Sequence, residues 1–193
     1  YTPVAAGAPI PVNTTTQDTQ TNSRITVLDD GSYVIVWQSL NSDGSSWGIY
    51  GQRFDAQHNP LGIEFQINSY TPNSQDYPDV AALTGGGFVV TWTSSGQDNS
   101  SDGTYLQQFD GDGNFVGTET MTNSWSAGSQ TKARITALAD GGYLVAWQAA
   151  RDGAHHGGSY ARRYDASGNP VGEEFQLNSY RTNAQVEPQI AVL

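Results

Sequence analysis

Short apolar runs alternate with turn-forming clusters along the whole chain, and the same run returns every 55 residues. Residues 33–37 read YVIVW, 88–92 FVVTW and 143–147 YLVAW. Nearly every position in these runs is apolar, which predicts strands buried on both faces. Each run follows a shorter one (24–28, 79–83, 134–138) across a turn reading DDGS, TGGG or ADGG, where glycine supplies the positive φ of a tight hairpin. A polar loop of about nine residues follows. A third run then ends in IYGQRFD, TYLQQFD or SYARRYD, alternating as a half-buried strand does. The turns DAQHNPLG, DGDGNFVG and DASGNPVG lead to a fourth run, EFQINS, ETMTNS or EFQLNS, and a loop of roughly ten residues connects to the next copy.

The register is unbroken. Trp37, Trp92 and Trp147 share a phase, as do Tyr50, Tyr105 and Tyr160, and Asp55, Asp110 and Asp165. Full copies span 21–75, 76–130 and 131–185, with partial copies at 7–20 and 186–193, so residues 1–193 read as one repeat-built domain. No stretch has helical period. The expected fold is all-β: tandem four-stranded antiparallel blade-like units, propeller-like in connectivity, with a linear stack of β-units as the alternative. Four copies need 4 × 55 = 220 residues, 27 more than the 193 present. The expectation is therefore that strands at 9–13 and 189–193 are completed by a second copy of the chain or by neighbouring repeats, since an isolated edge strand invites association.

Composition narrows the function. The net charge of −11 disfavours nucleic acid and anionic membrane surfaces as partners. No cysteine is present, which removes disulfides and thiolate chemistry. No apolar run is long enough to be inserted in a membrane as a helix. Lys132 is the sole lysine, and Asn, Ser, Thr, Gly and Gln are abundant, a composition typical of secreted surface proteins.

The block DGGxVVxWQS…GxYxQRFDAxGNPVGxEFQxNS, carried by residues 31–38 and 50–68 and their later copies, resembles tandem repeats of giant secreted bacterial adhesins of the haemolysin-type (RTX) calcium-binding group. The middle copy departs from it at Thr93, Phe115 and Thr120. The resemblance implies type I secretion, a calcium-rich exterior and an adhesive or spacer role. It brings no catalytic residues, and the calcium-binding nonapeptide GGxGxDxUx is absent.

Candidate chemistry is sparse. The three phase-matched tryptophans read as core, and Asn68, Asn123 and Asn178 as turn residues whose amides satisfy the loop backbone. Asp110, Asp112 and Asn114 alternate as calcium ligands do, yet the sister loops keep only the first Asp and the Asn, so a hairpin turn held by Asp and Asn side chains is the favoured reading and a calcium site the alternative. Asp43, Asp98, Asp102 and Asp152 form a second cation candidate. Trp47 aligns with Asp102 and Gly157, so no core slot demands it; Tyr70, Trp125 and Tyr180 put an aromatic in one loop of every copy. Aromatic rings beside amides suit a sugar platform, with a loop staple as the alternative. His155 and His156 are adjacent in a glycine-rich stretch, so they are expected to point to opposite sides rather than share a metal, and Glu173 and Glu174 read as turn-flanking surface. No G-x-S-x-G, H-E-x-x-H or P-loop pattern occurs, so no enzyme is expected. Two functions follow as expectations: a structural spacer or assembly unit of an adhesin, filament or surface layer, or a carbohydrate-binding module with or without calcium. An accessory domain of a secreted polysaccharide enzyme is a third.

Overall fold

A computed structural model describes residues 9–150, 157–179 and 187–191. Among the described residues, twelve strands form three antiparallel sheets of four, each a simple up-and-down meander. The first holds β1 (Gln20–Val27), β2 (Tyr33–Leu40), β3 (Trp47–Phe54) and β4 (Pro60–Gln66). The second holds β5 (Gln75–Ala82), β6 (Phe88–Ser95), β7 (Asp102–Phe109) and β8 (Phe115–Met121), and the third β9 (Gln130–Ala137), β10 (Tyr143–Ala149), β11 (Gly158–Tyr164) and β12 (Pro170–Gln176). Each sheet is one blade. The first strands of the second and third blades, β5 and β9, each pack on the first three strands of the blade before, which is propeller-like stacking.

The doubly apolar second strands explain the stacking. Val34 and Val36 face forward, into a core shared with Phe88, Val90 and Trp92 of the second blade. Val89 of that blade faces the other way, into a core with Tyr143, Val145 and Trp147 of the third. Strand alternation thus sends Trp92 and Trp147 back onto the preceding blade. Trp37, Trp92 and Trp147 are buried, as their shared phase predicts.

Strand limits differ from the sequence expectation. The first strands start four residues earlier, and the fourth strands begin at Pro60, Phe115 and Pro170. The second strand runs on to Leu40 and the third starts at Trp47, so the loop after β2 is six residues long rather than nine. Each first strand carries a bulge, with Asn22, Tyr77 and Lys132 at φ of 54°, 53° and 54°. Within the single chain residues 9–13 and 189–191 form no strand, and their completion by a second copy or by neighbouring repeats is left to the association experiment below; residues 192 and 193 lie outside the described set.

Candidate functional site

A four-stranded meander places its loops at two ends. The turns between first and second strands and between third and fourth strands lie at one end. The six-residue loops and the blade-to-blade connections lie at the other.

At the first end, the three DxxxN turns have one geometry. Asp110 accepts the N–H groups of Asp112 (2.9 Å) and Asn114 (2.8 Å) on one oxygen and the Asn114 side-chain amide (2.9 Å) on the other. Asp55 and Asp165 do the same with Asn59 and Asn169. Hydrogen bonds from these Asn residues hold all three carboxyls below the usual aspartate range. Asp110, Asp112 and Asn114 thus form the same self-contained turn as their sisters. Among the described residues, no group of three or more acidic or histidine side chains is placed to share a metal ion.

The opposite end carries the aromatics. Asn68 fixes the backbone there: its carbonyl accepts Ile49 N–H (2.7 Å) and its amide donates to Tyr70 O (2.9 Å) and Gln75 Oε1 (3.2 Å). Asn123 repeats this with Thr104, Trp125 and Gln130. Asn68 and Asn123 thus satisfy the loop backbone as expected, and they pin the two connections that follow them. Trp125, on the second one, is 46% exposed. Tyr70 is half-buried, and its phenol is near enough to Tyr105 of the next blade to influence that group, as a loop staple requires. Trp47 is half-buried where β3 begins, cross-strand from Leu40. Trp47, Tyr70 and Trp125 share one end but belong to successive blades and connections, and the Asp110 turn lies at the other end. The loop aromatics and the Asp110 turn are therefore separate features. Tyr180, Asp152, His155 and His156 lie outside the described residues.

Two groups at this end escaped the sequence reading. Glu64, Glu119 and Glu174 staple each outer strand to the connection before it. Glu119 accepts Ser69 N–H (2.7 Å) and hydroxyl (2.9 Å), Glu174 accepts Ser124 N–H (2.8 Å), and Glu64 accepts Thr14 N–H (2.8 Å). Glu174 is thus a structural contact, not turn-flanking surface; its recurrence in phase was the available signal. The second group is Asp76, whose carboxyl is pushed up to about 6 by burial and then by Asp102. Neither residue recurs in phase, so no pattern marks the pair. Tyr50 and Tyr105 are pushed up to about 12, chiefly by burial and then by Asp43 or Asp98.

No protein-family model matches the chain, and no curated protein matches it. Solved structures do. An endo-1,4-beta-xylanase from Bacteroides thetaiotaomicron VPI-5482 is 12% identical with TM-score 0.55, over 82% of this chain and 60% of that one. A Hadza microbial sialidase is 13% identical with TM-score 0.57, over 78% and 36%. An endo-arabinase from Bacteroides thetaiotaomicron VPI-5482 is 14% identical with TM-score 0.50, over 76% and 57%. The chain spans less than two thirds of each of these. At such identity the likeness is one of fold: bladed, all-β and antiparallel.

Proposed function

We propose that this chain is a non-catalytic structural module, a spacer or assembly unit of a secreted bacterial surface or matrix protein. One observation carries the reading: polar groups that recur in phase are spent on joining one blade to the next. Gln38 Oε1 accepts Tyr77 N–H (2.9 Å), Thr93 Oγ1 accepts Lys132 N–H (3.0 Å), and Gln148 Oε1 accepts Glu187 N–H (3.1 Å). Arg53 donates to the carbonyls of Gly111 and Asp112, and Gln108 to that of Ala166. The glutamate staples add a third set. What repeats is mortar, and the reading needs no bound ion, because the DxxxN turns close themselves. The secreted setting rests on the composition and on the resemblance to adhesin repeats.

The exposure of Trp125 on a platform fixed by Asn123 favours a second reading, a carbohydrate-binding module. The polysaccharide- and glycan-acting names of the fold neighbours agree with it, and with the accessory-domain reading, as an analogy of fold. A glycan array and a hydrolysis screen against plant and bacterial polysaccharides separate the readings. Blank results leave the spacer. Binding lost in Trp125→Ala with an unchanged melting curve establishes the module, and turnover of any substrate ends both.

A further inference from the structure

The two outer flanks of the blade stack are bare where the inner junctions are covered. On the first blade, Ile25 and Val27 are 59% and 61% exposed, whereas Val80 and Ile135, at the position of Ile25, are 7% and 6% exposed. Tyr33 and Ile35 are half-buried, whereas Phe88, Val90, Tyr143 and Val145 are fully buried. A groove of about 360 Å3, walled by Val12, Ile25, Ile35 and Trp37, runs along this flank. On the third blade, Phe175 and Leu177 are 47% and 44% exposed, whereas Ile67, the first-blade counterpart of Leu177, is 1% exposed. Phe65, the counterpart of Phe175, packs on Phe109 of the next blade with ring centroids 5.7 Å apart.

The two flanks are the two halves of one junction, already formed twice within the chain. We propose that a second copy of this chain docks head to tail, its first blade on the third blade of its neighbour. The inference rests on the structural reading above and names its partner and surface. Continuity with the inner junctions supplies the contacts. Gln148 now accepts Glu187 N–H and takes the bulge N–H of the second copy's Asn22 in its place, as Gln38 takes that of Tyr77. The second copy's Glu64 exchanges Thr14 N–H for Ser179 N–H, the equivalent of Ser69 and Ser124. Residues 187–191 and 9–19 therefore give way, these two backbone contacts are traded like for like, the exposed Lys132–Glu187 ion pair is given up, and the gain is cover for Ile25, Val27, Phe175 and Leu177. Arg134 meets Arg24 at the junction, where within the chain Asp79 meets Arg24 at 3.8 Å. That like pair, with a net charge of −11 on each copy, makes docking stronger as salt screens the repulsion.

The interface is heterologous, so two different blocks test it. Sedimentation of the full chain is followed from low to high micromolar concentration for the parent, Ile25→Asp, Phe175→Asp and their equimolar mixture. Both side chains are exposed, so the variants keep the fold, checked by far-ultraviolet circular dichroism; Val27→Asp replaces Ile25→Asp if that check fails. The parent is expected to pass beyond dimer with rising concentration, and more readily at high salt. Each variant alone stays monomeric, and the mixture stops at dimer, since only one intact flank of each kind remains. A parent that stays monomeric throughout, a variant that associates alone, or a mixture that does not pair overturns the proposal. Glycan and hydrolysis screens are unaffected by that failure, so the spacer reading is judged separately.

Discussion

Replacing Asp76 with asparagine should stabilise the protein at neutral pH and do nothing in acid. Asp76 lies in β5 at the edge of the middle blade, largely buried, with Asp102 of β7 close enough to raise it further. Its carboxyl titrates at about 6 in the fold against 3.8 when exposed. The folded state therefore binds this proton more tightly than the unfolded chain. Above pH 6 or so the charged form is buried at a cost that the unfolded chain does not bear. That cost fades as pH falls through 6 and is gone below 3.8, where both states are neutral. A shift of roughly two units at 1.36 kcal/mol each gives about 2–3 kcal/mol, the low end allowing for partial solvent access. The amide that Asp76→Asn introduces has the same shape and no charge, so it escapes the cost. Urea melts followed by tryptophan fluorescence, on parent and variant in parallel, read the difference directly. The variant should be more stable by about 2–3 kcal/mol at pH 8, with the gap closing by pH 4. Because the comparison is between the two proteins at each pH, carboxyls such as Asp79, also raised mainly by burial, cancel. A gap independent of pH, or a variant less stable at pH 8, refutes the account of a strained buried acid.

Trp92→Ala should cost about 3–5 kcal/mol by emptying a fully buried aromatic site between the first two blades, whereas Trp47→Ala, at a half-buried position no sister copy fills with an aromatic, should cost less than about 1 kcal/mol; chemical melts of both decide it. Asn123→Ala should cost about 2–4 kcal/mol, since it strands Thr104 N–H and Gln130 in a buried setting, and proteolysis should then begin in the 122–129 connection. Millimolar calcium in place of chelator should leave the melting temperature unchanged, because the Asp110 oxygens already accept three N–H groups; a rise that disappears in Asp110→Asn would mark a cation site instead.

The sequence displays what is periodic and hides what is not. The 55-residue phase, the glycine turns and the runs apolar on both faces announce stacked β-blades, because a strand buried on both faces must have a neighbour on each side. The asparagines at 68 and 123 were legible for the same reason: a short amide at the end of a strand, repeated, signals a backbone to be satisfied. The first-strand bulge was not legible. Asn22, Tyr77 and Lys132 share a left-handed backbone but no side-chain chemistry, and the groups answering Tyr77 and Lys132 lie 39 residues earlier, in the preceding blade. The Asp76–Asp102 pair was hidden because it occurs once. Its counterparts are Thr21 with Trp47 and Thr131 with Gly157, so periodicity averages it away. The glutamate staples lie between: Glu64, Glu119 and Glu174 do recur, but a surface carboxylate reads as solvated until its partner 50 residues earlier is known.

Identical repeats face a folding hazard, in that any blade can pack on any other. The inner strands carry a partial answer at positions 24, 79 and 134, which read Arg, Asp and Arg. Asp79 sits 3.8 Å from Arg24 of the blade before it and accepts Ile135 N–H of the blade after it at 3.0 Å. Correct neighbours are thus opposite in charge, whereas the first blade placed on the third brings two arginines together. The bias is modest, because Arg24 is 41% exposed and such pairs contribute about 0.2–1 kcal/mol. It acts on every encounter, however, and it acts with the middle blade's other departures from the repeat. Thr93 stands where its sisters have Gln, and Gln108 where they have Arg, each fitted to the blade it meets. The same alternation bears on copies of the chain meeting end to end. There the Arg24–Arg134 pair would oppose the apolar gain, so the proposed docking of separate chains should be weaker than the junctions between blades of one chain.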